Sequence, residues 1–174
     1  MNVRAALVIA VLALAACDRT KPADTPPPAP YDAAAVGHFC GMTLGEHPGP
    51  KGQIWVESQA TPYWFTSVRD TIAFTLLPEE PHGIRAIYVS DMAKASSWAH
   101  AEDGGWVEAR KAFFVIESHL SGGMGLPEEV PFSDKSAAED FARNSGGRVV
   151  SFDDIPKDNI LSGPPVGAAP GTTH

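Results

Sequence analysis

A chain of 174 residues with 13 basic and 21 acidic side chains has a formal net charge of −8. That balance argues against nucleic acid as a partner, and the lack of a Walker or Rossmann glycine loop argues against nucleotide chemistry. Two cysteines and 16 prolines leave the region of about 33–161 as the part able to build a core, either as one compact domain or as two very small ones.

The N-terminus "MNVRAALVIAVLALAAC" has a basic Arg4, an apolar run from Ala5 to Ala16, and then Cys17. The run is too short to cross a bilayer comfortably and closes on small residues, as an export signal does. Its end, "LAAC", looks like the lipobox of bacterial lipoproteins. Residues 1–16 are then a signal peptide, and Cys17 becomes the lipidated first residue on the periplasmic side of a bacterial membrane. An ordinary signal peptide with a chance cysteine is the alternative. Removing the signal takes away one arginine and leaves 12 basic against 21 acidic residues, a net of −9. Residues 17–32, with "DRTKPADTPPPAP", read as a polyproline II tether reaching on the order of 40 Å at about 3.1 Å per residue. The tail, 162–174, is equally poor in packing residues and reads as flexible.

Between these ends the expected class is α+β, a tandem duplication of two small ββαβ units over 33–98 and 99–161. "IWVES" at 54–58 echoes "GWVEA" at 105–109, "PYWFTSVRDTIAFTLL" at 62–77 echoes "VPFSDKSAAEDFARN" at 130–144, and "RAIYVSD" at 85–91 echoes "RVVSFDD" at 148–154. Three echoes in register point to duplication. Ser67 and Asp70 form the start signal of a first helix, whose apolar stripe is Val68, Ile72 and Leu76 and which Pro78 ends. Ser133 is the expected cap of a second helix stopped by Gly146 and Gly147. "QIWV", "YWF", "AIYV", "AFFVIES" and "RVVSF" read as strands, their aromatics mostly core. The halves differ in the glycine-rich insertion "SHLSGGMGLPEEV", which reads as a functional loop with Met124 at its centre.

The stretch "HFCGM" at 38–42 holds the chemistry. In an extended segment His38, Cys40 and Met42 would share one face. Their donors are an imidazole nitrogen, a thiolate and a thioether; thiolate with thioether is a soft set that selects Cu(I), whereas zinc calls for more cysteine and histidine ligands. With Cys17 lipidated, Cys40 is an unpaired thiol in an oxidising compartment. Met124 offers a second thioether, and Met92 is either core or a further one. Competing with a metal site are an inert buried cysteine and a thiol enzyme, with Cys40 as nucleophile and His38 or His119 as base.

Taken together, "HFCGM", "GPKGQIWV", "WFTSVRDTIAFT", "AIYVSDM", "SSWAH", "AFFVIES", "GGMG" and "EEVPF" resemble the NosL family of lipoprotein copper chaperones. The resemblance implies two ββαβ units in a fold similar to that of the organomercurial lyases, which keeps a thiol-dependent, lyase-like activity as the alternative. It implies a non-enzymatic role in the periplasm: binding Cu(I) and delivering it to the copper centres of nitrous oxide reductase. An ABC-transporter-linked maturation complex is the receiving partner, and the membrane is met through the lipid anchor. Carried over by motif, the ligands are Cys40 and Met124, then Met42, then His38.

Overall fold

The computed structural model describes residues 25–123 and 125–162. Cys17 with the whole leader, Met124, and the tail beyond 162 lie outside the described residues. Strands β1 (Gly52–Val56), β2 (Tyr63–Phe65) and β3 (Ile84–Ser90) and helix α1 (Val68–Leu76) form the first unit. In β1, Ile54 and Val56 turn into the core beneath α1, as period-two alternation requires. Helix α1 starts where the sequence marks it: Ser67 Oγ accepts the Asp70 N–H at 3.0 Å. The helix stops at Leu76, two residues before Pro78. Its buried side is wider than one apolar stripe, since Arg69, Thr71 and Phe74 are buried beside Val68 and Ile72.

The second unit repeats the plan with β5 (Phe113–Ile116), β6 (Val130–Phe132), α2 (Lys135–Ser145) and β7 (Arg148–Ser151). The strand order β6-β5-β7 reproduces the β2-β1-β3 of the first sheet, antiparallel throughout. The duplication is therefore real, but one pairing of segments is corrected. "GWVEA" does not correspond to β1. Strand β4 (Trp106–Glu108) pairs with β3, Val89 opposite Val107, as the fourth strand of the first sheet. The counterpart of β1 is β5. A similar local pattern does not say which free sheet edge a strand will cover, and the open edge of β3 takes β4. The cap of α2 is corrected as well. Asp134 Oδ1 accepts the Ala137 N–H at 2.8 Å, while the Ser133 N–H donates to Asp91 Oδ1 at 2.9 Å. Gly146, at φ 75, ends α2 as expected.

One shared core joins the units. Phe114 and Ile116 of β5 pack with Ile54, Val56, Phe65, Ile72, Phe74 and Ile87 of the first unit. Val115, on the opposite face of β5, packs with Val130, Phe132 and Ala138 beneath α2. A strand covered on both faces needs an unbroken apolar run, and "FFVI" supplies it. Helix α3 (Lys157–Leu161) adds Ile160 to the shared core. Among the described residues no helix is long and apolar enough to cross a membrane.

The last part of the expected tether is built into this domain. Buried Gln53 brackets the backbone of Ala29, accepting its N–H at 2.8 Å and donating to its carbonyl at 3.0 Å. Tyr88 OH donates to the Pro26 carbonyl at 2.7 Å. These contacts come from the face of the first sheet opposite α1. The strap leads directly into the segment that carries Cys40.

Candidate metal site

The segment Val36–Thr43 is a closed loop, not the extended run that would line up His38, Cys40 and Met42. Val36 pairs with Thr43, Gly37 N–H donates to the Met42 carbonyl at 2.8 Å, and Gly41 N–H donates to the Gly37 carbonyl at 2.9 Å. The reversal needs a left-handed residue, which Gly41 provides at φ 69 without steric cost. His38 N–H donates to the Trp64 carbonyl at 2.7 Å, hanging the loop on the free edge of β2.

The side chains that the sequence grouped meet three different partners. The His38 ring stacks among Phe39, Tyr63, Phe65 and Phe74, and its Nε2 meets Glu80 Oε2 at 3.0 Å. His38 anchors the loop to the aromatic cluster. Cys40 is a free, half-buried thiol with Sγ 3.3 Å from Thr66 Oγ1. Met42 is half-buried, and its Sδ lies 3.2 Å from Nε2 of His47. With metal–ligand bonds of about 2.0 to 2.3 Å, two donors of one ion stand roughly 3 to 4 Å apart. The Met42–His47 spacing suits a shared ion.

His47 is a candidate site residue that the sequence did not single out. Its one local signal is a histidine five residues after Met42 and just before a proline. Beyond it stands the glycine loop of the second unit. A Cβ on Gly123 would lie 2.6 Å from the Cβ and Cγ of His47, so only glycine allows this approach. Gly122 packs on Ser67, the neighbour of Thr66, and on the Glu128 carboxyl. Cys40 is thus linked through Thr66 and Ser67 to Gly122, and Met42 through His47 to Gly123. Gly125 N–H donates to the Gly122 carbonyl at 2.9 Å. Met92, half-buried, packs like Trp98 against the second core.

Buried charges hold the loop base. Glu128, 1% exposed, accepts the N–H groups of Val68 and Arg69 at 3.0 Å each, capping α1 from the other unit. Burial, reinforced by Glu129, pushes its carboxyl well above the usual carboxylate range. Burial raises Glu129 to about 7, with nearby Arg69 working in the opposite direction. Lys51, equally buried, donates to the Gly49 carbonyl and is lowered by burial to about 8, opposed by Glu128. Among the described residues no group of three or more His, Cys, Asp or Glu side chains is placed to hold a metal ion.

The fold and site define a class: a duplicated α+β domain with one thiol and one thioether–imidazole pair beneath a glycine loop from the second repeat. The NosL profile matches residues 28–160, so the chain belongs to the NosL family. It is 41% identical over 170 residues to the copper-binding lipoprotein NosL of Achromobacter cycloclastes, covering 97% of this chain and 88% of that one. The crystal structure of the copper chaperone NosL from Shewanella denitrificans is similar at a TM-score of 0.69 and 36% identity, across 76% of this chain and 97% of that one. The solution structure of apo-NosL from Achromobacter cycloclastes gives a TM-score of 0.51 at 42% identity, across 68% and 94%.

Proposed function

We propose that this protein is a periplasmic lipoprotein, anchored through Cys17, that binds Cu(I) and hands it on for assembly of the copper centres of nitrous oxide reductase. The receiving partner is the ABC-transporter-linked maturation complex. Membership of a family whose relatives are named copper-binding lipoprotein and copper chaperone supports this reading. The observation that carries it is the donor arrangement. Met42 Sδ sits 3.2 Å from His47 Nε2 in the loop segment that holds the Cys40 thiol. The proposed ligands are Cys40, Met42 and Met124, with His47 joining them and His38 serving as loop anchor. A single thiolate with soft companions favours Cu(I) over zinc. Binding releases the thiol proton, so copper affinity rises with pH.

The thiol-enzyme alternative draws less support, because among the described residues neither expected base is paired with the thiol. His38 is held by Glu80, His119 packs on Gly146, and the hydrogen-bond partner of Cys40 is Thr66. A thiol nucleophile needs an adjacent proton acceptor.

The test is Cu(I) competition against a chelator, with X-ray absorption counting sulfur and nitrogen ligands. Wild-type protein takes up one Cu(I). Cys40→Ser loses most affinity. Met124→Leu keeps volume and costs less than about 1.5 kcal/mol of stability, yet binds copper clearly more weakly. A well-folded Met124→Leu protein with wild-type affinity removes Met124 from the site.

A further inference from the structure

We infer that the apolar tip of the Cys40 loop, Val36 and Phe39, is the surface on which the copper-receiving protein docks, and that this partner presents an apolar recess in a basic surround. The inference rests on the copper-carrier reading and names the chemistry of the partner. Among the described residues the large hydrophobic side chains left exposed are Val36 at 56%, Phe39 at 40% and Leu161 at 51%. Two of the three lie in the loop that holds the thiol. Neither exposure is needed for folding, because the rings that fill the cluster behind the loop, Phe65 and Phe74, are each 1% exposed. Phe39 leans on those rings from outside, at centroid distances of 5.8 and 6.4 Å. An outward apolar pair beside a reactive group marks a contact surface.

The identity of the occupant follows from how a bound ion changes hands. Direct transfer needs a donor atom of the receiver within bonding distance of the ion, roughly 2.0 to 2.3 Å. The receiver must then cover the loop around Cys40, the same short loop that carries Val36 and Phe39. The charge around the loop decides the rest. Segments 25–50, 77–83 and 117–129, which surround it, contain no lysine or arginine. They carry exposed Asp32, Glu46 and Glu79, and Glu80 stands against His38. Such a rim steers a basic face towards the loop and repels acidic proteins, including a second copy of this chain.

The test uses full-length, Cu(I)-loaded protein and the purified maturation complex in detergent, with a small Cu(I) chelator as control. Val36→Ser and Phe39→Ser each weaken binding to the complex about tenfold and slow copper transfer to it. Removal of copper by the chelator stays at wild-type values in both; the melt is unchanged in Val36→Ser and falls modestly in Phe39→Ser, which loses its contacts with Phe65 and Phe74. Phe39→Leu, which keeps an apolar tip, retains binding. Glu79→Lys weakens binding and flattens its salt dependence. Transfer at the wild-type rate by the doubly substituted Val36→Ser, Phe39→Ser protein overturns the proposal. So does sedimentation showing that the patch pairs two copies of this chain. A wild-type protein that takes no Cu(I) from the chelator is a separate result and refutes the carrier reading itself.

Discussion

The two helices of the repeat begin in different ways. Helix α2 is capped by its own Asp134 from the adjoining residue, and only its Ala138 is buried. Helix α1 is capped locally by Ser67 and also by Glu128, which lies 60 residues away in the base of the second unit's loop. It buries five residues, Arg69 among them. One copy of the duplicated element is thus peripheral and self-sufficient. The other has become the joint between units, and the residue that completes it also shoulders the glycine loop through Gly122. After duplication, a site at the seam can be built by making one copy depend on the other.

Breaking that dependence should have the largest effect. Glu128→Ala leaves the buried N–H groups of Val68 and Arg69 without an acceptor, at a cost of about 2 to 4 kcal/mol. Glu128→Gln keeps an acceptor oxygen and sheds only a charge that burial already disfavours, so it stays close to wild type. Chemical denaturation of both variants checks the contrast, and Cu(I) affinity should fall in the alanine protein first.

Next comes the neighbouring acid. Folded Glu129 holds its proton up to about pH 7, whereas the unfolded chain releases it near 4.5. Between those values the folded state binds more protons, so this residue's contribution to stability declines as pH rises. In Glu129→Gln that decline disappears. The two unfolding free energies, matched near pH 4, should diverge in favour of the variant by up to about 3 kcal/mol near pH 7. Equal pH slopes would show that Arg69 fully compensates the carboxylate.

The smallest effect belongs to the self-sufficient helix. Asp134→Ala removes an exposed cap and should cost about 1 kcal/mol, with no change in copper binding. If it lowered copper affinity as much as Glu128→Ala did, the distinction between joint and peripheral helix would fail.

What the sequence showed and what it hid divide along contact range. Strand alternation, the Ser67 start signal, the Gly146 stop and the order of the repeat all follow from residues close together in the chain, and the fold agrees with them. The cap of α2 was missed by one residue, because Ser133 and Asp134 are both good caps and a distant partner, Asp91, claims Ser133. The partner of "GWVEA" was misjudged because β4 covers an edge that only the finished sheet possesses. In the site, the residue types of "HFCGM" were informative and their shared face was not. Gly41 reverses the chain, His38 turns to Glu80, and His47 replaces it beside Met42. Glu128 and Glu129 stood in plain view within "EEVPF" but gave no sign of being buried, since their partners are about 60 residues away.

The proline strap changes the protein's range of action. Gln53 and Tyr88 fasten the chain at Ala29 and Pro26, so on the lipoprotein reading proposed above at most eight residue steps, from Cys17 to residue 25, separate the anchor from the domain. Eight residue steps, fully stretched, cover at most about 29 Å. On that same reading the domain stays in a thin layer above the membrane, and its collisions with the proposed membrane-embedded receiver become a two-dimensional search at high effective concentration. Loosening the strap would lengthen the leash and dilute those encounters, even with every copper ligand in place.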